Sequence, residues 1–505
     1  MDIFSGILTG FSIILNPLNL LYCFIGVLIG TLIGVLPGIG PTGAIAILLP
    51  GTIGLGPVPA IIMLAGIYYG AMYGGSTTSI LLNIPGEAAS VVTCLDGYAM
   101  ARQGRAGPAL GISAFGSFIG GTLSVLGLML AAPPLAKLAL NFGPPEYFTL
   151  VCLGLSILIY LAAGSIPKAL IMASVGITAG CVGLDQLSEV PRFTFGIMEF
   201  LDGIGVVPVA MGLFGIAEVL MNIEQEVRSK DIYRTKLKGL LPTVKDWVQS
   251  AWPIVRGTVV GFFLGILPGG GPMISSFVSY GIEKRCSKHP ENFGKGAIEG
   301  VAGPETANNS ATGGSFIPLL TLGIPPNAVM AILLGALMIH GITPGPLLIQ
   351  RNPDIFWGVI ASMYIGNVML LVLNLPLIGL WVKVLEIPYK ILFPLILLFC
   401  LIGAYSLNWS TVDVYFMIIA GIFGYLMRKF GFEGAPLILG FILGPILELS
   451  LRQSLLMSRG SFQIFIKRPF CIISIIIIIF LIISNFIPGL RRKRFKLVEE
   501  AEEIA

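Results

Sequence analysis

From Ile3 to Gly86 the chain contains no Lys, Arg, Asp, Glu or His. A soluble domain, with about 25% charged residues, does not sustain an uncharged run of that length. The full 505 residues are only 11% charged and 55% hydrophobic. Apolar stretches at 18–36, 109–132, 147–163 and 470–488 each match the roughly 17–25 residues that cross a bilayer as a helix. Period-two alternation, the mark of a membrane barrel, is absent. The expected fold is therefore an all-α polytopic membrane protein embedded in a lipid bilayer.

Charge and cysteine usage exclude several functions. A formal net charge of +4 is too small to point to nucleic acid, and the basic residues gather in loops, where the positive-inside rule applies. Seven cysteines without a C-x-x-C pair suggest neither a disulfide framework nor a metal site. The N-terminus lacks the basic region and cleavage site of a removable signal peptide, so the first spans are expected to direct insertion.

The uncharged run also contains GVLPGIGP (34–41), whose prolines and glycines should interrupt any helix. The interruption recurs. GVLIGTLIGVLPGIGP (26–41) and GTVVGFFLGILPGGGP (257–272) agree at eight of sixteen positions, offset by 231. Further on, GGSTTSILLNIPG (74–86) aligns with GGSFIPLLTLGIPP (313–326), the second copy carrying one extra residue before Ile-Pro. Two motifs in the same order argue for duplicated halves.

Length suggests how the second copy sits. Pro253 to Leu267 is 15 residues, about 22 Å of helix, against a ~30 Å hydrocarbon core. The chain then meets Glu283, Lys284 and Arg285 after a short second arm, with basic loops on both sides. This predicts a re-entrant hairpin entering from the cytoplasm. The first copy has no basic flank, which suits entry from the outer face. Five spans are counted between the hairpins, near 57–83, 109–132, 147–163, 166–183 and 200–222. An odd number inverts the second copy.

The expected architecture is an inverted-topology repeat, each half a re-entrant hairpin plus about five transmembrane helices, with an extra C-terminal helix. The halves are 1–222 and 251–450, joined by a cytoplasmic linker at 223–250 and followed by an extra helix and basic tail at 451–505. One conflict stands: Arg452, Arg459, Lys467 and Arg468 fall on the outer side.

Inverted repeats with broken helices at mid-membrane are the organisation of secondary transporters. Half-helix N-termini offer N–H groups to anions, and freed carbonyls can hold Na⁺. The tip glycines Gly38, Gly40, Gly269 and Gly271 are accordingly candidate substrate-binding positions. Beside the Ile-Pro breaks lie Ser76, Thr77, Thr78, Ser79 and Asn83 in one half, and Asn308, Asn309, Ser310, Thr312 and Ser315 in the other. Hydroxyls and amides donate to a carboxylate without carrying a permanent charge into lipid. Glu305 and Asp202 are the candidates for coupling to a cation, Na⁺ or H⁺, with Glu87 comparable. His340 is expected to be a hydrogen-bonding residue at a helix end. No resident cofactor or metal is expected beyond a coupling Na⁺ near Pro37, Pro268 and Asn308. The absence of G-x-x-x-x-G-K-[ST], H-E-x-x-H and G-x-S-x-G leaves the enzyme readings without a motif.

Four stretches resemble the large membrane subunit of the bacterial tripartite tricarboxylate transporters. They are LPGIGPTGA (36–44), YGGSTTSILLNIPGEAASVVTCLDGYAMARQGRAGPALGISAFGSFIGG (73–121), RFTFGIMEFLDGIGVVPVAMGLFGIAE (192–218) and EGVAGPETANNSATGGSFIPLLTLGIPPNAVMAILLGALMIHGITPGP (299–346). The resemblance runs over roughly 18–450, and the end of the chain is less familiar. It implies a permease of the bacterial cytoplasmic membrane that works with a periplasmic solute-binding protein and a small membrane subunit. It implies import of carboxylates such as citrate on an ion gradient, often Na⁺, without ATP hydrolysis. By motif, the tips at Pro37–Pro41 and Pro268–Pro272, with Ser76–Ser79 and Asn308–Thr312, would form the site. The rival readings are an intramembrane enzyme acting on a lipid or prenyl substrate and a passive anion channel.

Overall fold

The computed structural model describes residues 3–36, 40–161, 165–224, 239, 241–269, 271–384 and 389–484. Seven of its helices are long and apolar enough to cross a membrane. A two-stranded antiparallel pairing, Gly183 with Arg192 and Leu184 with Pro191, interrupts the helical pattern.

Each half carries a helical hairpin. The first has legs Pro17–Val35 and Gly40–Leu48, and the second has legs Val244–Ile266 and Gly271–Cys286. Asn16 caps the first leg, with Pro17 in the first turn where its missing N–H costs nothing. Thr243 and Asp246 form a capping box at the start of the second hairpin. That leg corrects the length argument. It runs 23 residues from Val244, with Pro253 inside it, so it is about 35 Å long and not short of the hydrocarbon core. The helix also starts within the segment expected to be a linker.

A long buried helix follows each hairpin, Pro57–Leu82 in the first half and Glu299–Leu322 in the second. These are called the first and second axial helices. Each ends in a left-handed residue, Asn83 (φ 56°) and Gly323 (φ 71°), followed by Ile84-Pro85 and Ile324-Pro325. The left-handed cap reverses the chain, and proline prevents the helix from resuming. The chain then continues through the short helical turns of 88–102 in one half and helix Ala328–Ile339 in the other.

Glycines set the distance between hairpin and axial helix. Gly26, Gly30 and Gly34 lie against the carbonyls of Met63, Ile67 and Ala71, and Gly257, Gly261 and Gly265 against those of Gly303, Ala307 and Ala311. A Cβ at Gly30 would stand 2.6 Å from the Ile67 carbonyl oxygen. Close approach of backbones through small residues is how helices pack where lipid supplies no hydrophobic drive. The hairpin glycines repeat at 231 and their axial partners at 240, in both halves. Gly74 and Gly314 obey the same register, since they lie against the Thr31 and Phe262 carbonyls. The extra residue inferred before Ile-Pro is therefore absent from the packing. The aligned GGS triplets are one position out of step.

Two further helices lock the halves together. The first brace, Ala106–Ala139, packs on the second axial helix, and the second brace, Pro353–Asn374, packs on the first. Gly116 and Gly120 of the first brace meet Ala302 and Thr306, while Gly366 of the second meets the Tyr69 ring. The remaining helices are Pro144–Leu161, Ile166–Gly180 and 206–224 in the first half, and Tyr389–Asn408, Thr411–Lys429 and Gly434–Met457 in the second. Helix Pro469–Ser484 is the extra one, and Ile3–Ile14, which the sequence reading passed over, packs on the second brace. Outward-facing Phe263, Phe399, Ile476 and Phe480 are exposed, as a lipid-facing surface requires.

Two of the four outer-side basic residues, Arg452 and Arg468, are ion-paired. Arg452 pairs with Asp185 and Glu448, and both carboxylate oxygens of Glu146 accept from Arg468 at 2.9 Å. Arginines neutralised by carboxylates contribute little net charge to their end of the molecule. The expected inside loops carry their own links, Arg105 to Asp246 and Lys168 to the Phe430 carbonyl.

Candidate functional site

The two axial helices meet at Glu305, whose side chain is completely buried. One oxygen accepts from the Thr93 hydroxyl and the other from the Ser76 hydroxyl, with the Asn308 amide at 3.5 Å. Ser76 comes from the first axial helix, Thr93 from the turn after its break, and Asn308 from the second axial helix. Glu305 thus joins the two halves through one carboxylate. Among the described residues no Lys, Arg or His pairs with it, so neutral donors alone meet its oxygens. An unpaired buried carboxylate is costly and marks a functional site by default in a membrane.

Amides and hydroxyls bonded to one another continue from it. Asn309 donates to the Ser117 hydroxyl at 2.8 Å and lies 2.5 Å from the Asn308 side-chain oxygen. Ser117 in turn donates to the Glu305 carbonyl at 3.3 Å. Ser113 lies one turn before Ser117 on the same face of the first brace. On the far side, Asn327 reaches the Tyr68 hydroxyl and Ser315, both at 3.2 Å.

The second hairpin tip and the end of the first hairpin's opening leg each come to a helix break. The Gly269 N–H donates to the Pro326 carbonyl at 2.8 Å, tying the second tip to its own Ile-Pro break. In the first half Gly86 stands against the Gly34 carbonyl and the Gly75 backbone, where no side chain fits. Gly40, Gly269 and Gly271 all have positive φ (63°, 78° and 49°), which explains glycine at these tips. Gly40 and Gly271 also open the second legs, so their amides belong to helix N-termini. Pro37 and Gly38 lie outside the described residues.

The remaining candidates divide. Thr77 is buried on the first axial helix. Thr78 donates to the Val35 carbonyl at 2.6 Å and fastens the axial helix to the end of the hairpin leg. Ser79 donates to the Ser90 hydroxyl at 2.9 Å. Ser310 and Ser315 reach back to the Thr258 and Gly265 carbonyls of the second hairpin, at 2.7 and 3.2 Å. Thr312 bonds the Asn308 carbonyl of its own helix at 2.9 Å. Asn83 is exposed, and its left-handed φ accounts for it as a cap. Asp202 is also exposed and lines a separate cavity. His340 caps helix Ala328–Ile339 and reaches Thr52 at 3.1 Å.

Thr93 and Ser117 were missed because a lone hydroxyl in an apolar helix usually bonds its own backbone. Asp96 was missed as well. It accepts from the Gly296 and Ala297 N–H groups at 2.8 Å and from Tyr280 at 2.9 Å, and so anchors the start of the second axial helix. The i, i+4 spacing of Ser113 and Ser117 was the available signal for the brace face.

The cavity near Asp202 has a volume of about 660 Å³ and reaches the second break at Gly323 and Pro344. Its wall holds Asp185, Asp202 and Glu448 against Arg192 and Arg452. Three carboxylates outnumber two guanidinium groups, so it offers a polyanion no net attraction. The Ser188 and Leu187 backbone N–H groups, with Arg452, hold Asp185 well below the usual carboxylate range.

Residues 20–439 match the tripartite tricarboxylate transporter TctA family. An Agrobacterium vitis protein described as an uncharacterized 52.8 kDa protein in the TAR-I ttuC' 3'region is 52% identical over 502 residues. That alignment covers 99% of this chain and all of the relative. A second from the same organism, described as an uncharacterized protein in the TAR-II ttuC' 3'region, is 53% identical over 240 residues, covering 48% of this chain and 99% of the relative. No solved structure matches the chain. The match over most of its length places the chain in the tripartite tricarboxylate transporter TctA family, a family of transporters.

Proposed function

We propose that the chain is the permease subunit of a binding-protein-dependent, ion-gradient-driven secondary transporter. It imports tricarboxylates or related carboxylates across the bacterial cytoplasmic membrane by alternating access. Its partners are a periplasmic solute-binding protein and a small membrane subunit. The observation that carries the reading is Glu305, a buried carboxylate that among the described residues is held only by neutral donors, drawn from both halves. In this reading Glu305 takes up the coupling cation, Na⁺ or H⁺. Asn308, Asn309 and Ser76, with the tip amides of Gly40 and Gly271, receive the substrate carboxylates. Anion and cation then meet at one locus, so that each stabilises the other. The halves are proposed to be inverted, with the hairpin-bearing elements moving against the rest.

Reconstitution tests this directly. The chain and its small partner are placed in liposomes, and labelled citrate and shorter dicarboxylates are offered with and without the binding protein, under imposed Na⁺ or proton gradients. Gradient-driven accumulation that requires the binding protein is the expected result. Flux that never exceeds equilibration would favour the channel. Chemical conversion of a lipid or prenyl substrate would favour the enzyme.

A further inference from the structure

Glu87 is the second carboxyl buried in this region, and the transport reading assigns it nothing. It opens the turn after the first helix break, where its side chain caps that turn. One oxygen accepts from the Ala89 N–H at 2.6 Å. The other, Oε1, is buried and has no partner among the described residues. Gly75 makes room for it, since a Cβ there would stand 2.7 Å from the Glu87 Cγ.

The surroundings hold no counter-cation for it. The turn packs on both axial helices and on Gly271–Cys286 of the second hairpin. From the first axial helix comes the Tyr68 phenol, and from the second comes Glu305, both within electrostatic range. From the hairpin leg, Glu283 is engaged by Arg256 and Tyr280 by Asp96, while Lys284 and Arg285 are exposed at its end. Cys94 follows on the turn itself. The nearby hydroxyls are also occupied, because Ser79 donates to Ser90 and Ser90 to the Glu87 carbonyl at 2.8 Å.

Two carboxylates in a dry region without a cation do not both stay ionised. Three side-chain donors surround Glu305, whereas Glu87 is met only by the backbone N–H groups of Ala89 and Ser90, both on its Oε2 side of the capping turn, and its Oε1 is left bare. The proton therefore belongs on Glu87. We propose that Glu87 is a proton-binding site, protonated in the conformation described here, which releases its proton when the turn separates from the second hairpin and Oε1 meets water. The step breaks one O–H bond and leaves a carboxylate, with water taking the proton. The turn touches elements of both halves, so release is tied to their relative position. The proposal goes beyond the assignment of Glu305 and rests on Glu305 being the ionised member of the pair in this conformation.

Infrared spectroscopy of the full chain in lipid, at neutral pH, tests it without any transport measurement. The expected spectrum contains a protonated-carboxyl C=O band that Glu87→Gln removes and Glu305→Gln retains. Glu87→Asp supplies a second variant, in which the band shifts in frequency. A wild-type band unaffected by both Glu87 variants would overturn the proposal. So would loss of ²²Na⁺ binding in Glu87→Gln with no carboxyl band in the wild type, which would make the occupant a metal cation. Failed uptake in the liposome experiment would refute the transport reading and leave this spectrum to be read on its own terms.

Discussion

Replacing Glu305 by Gln separates what the carboxylate does for folding from what it does for coupling. Gln has the same size, and its amide oxygen still accepts from one of the two hydroxyls. The other hydroxyl turns to accept from the new NH₂ group. Hydrogen bonds to the charged group, about 1.5–3 kcal/mol each, are weakened, but the desolvation cost of several kcal/mol for a buried ion disappears. These terms oppose each other, and the expected stability change is within about 2 kcal/mol. Glu305→Ala instead strands the Ser76 and Thr93 hydroxyls at about 1–3 kcal/mol each, and should be clearly less stable. Transport should respond in the opposite sense to this mild structural effect. Each net positive charge moved inward across about 100 mV is worth about 2.3 kcal/mol, an accumulation of about 50-fold at 1.4 kcal/mol per decade. Thermal unfolding and uptake by the same liposomes give both numbers. A Glu305→Gln protein that folds and still accumulates substrate to the wild-type ratio would refute the coupling role.

Other expectations concern packing and charge. Gly30→Val and Gly261→Val should each lower stability by about 1–3 kcal/mol or more through backbone overpacking, read as a drop in monodisperse yield and unfolding temperature. Similar losses in the two halves would support the shared register. Arg256→Ala should cost about 3 kcal/mol, because it leaves Glu283, which is 1% exposed, without its cation. Adding Glu283→Gln should recover much of that loss in the same unfolding assay. Asp185 has a folded pKa below its ordinary value of about 3.9. Its contribution is therefore fully present above that value and is lost only as pH falls through the lower folded one. Protease cleavage within 183–202 should be unchanged from pH 7 to about 4, and Asp185→Asn should increase it already at pH 7.

Helices of membrane length were readable because their apolar runs are long and uninterrupted. The breaks were readable because Gly and Pro stand where a helix must stop, and Glu305 because a carboxylate beside Asn-Asn-Ser is conspicuous in an apolar chain. The long leg from Val244 was not, since Pro253 suggests a start, and nothing in composition distinguishes a helix-internal proline from a first-turn one. Aligning GGS with GGS failed for a related reason. Residue identity favoured one offset, whereas the carbonyls opposite Gly74 and Gly314 establish another. Asn83 shows the limit for single polar residues, because a left-handed cap and a ligand-binding amide look alike until φ is known. Asp202 and Asp185 belong to one loop, and only the fold shows which of them the arginines hold.

The exchanged braces bear on how such a molecule is made. Each half lends one helix to the axial helix of the other, so neither half alone can cover the axial face at which its partner's brace docks. Severed in the segment between Glu224 and Val244, the two pieces would each insert with an open groove and would recognise one another by filling it. The covalent connection then serves chiefly to keep the pieces at equal number and close range. In assembly terms the two pieces would then behave as the subunits of a heterodimer.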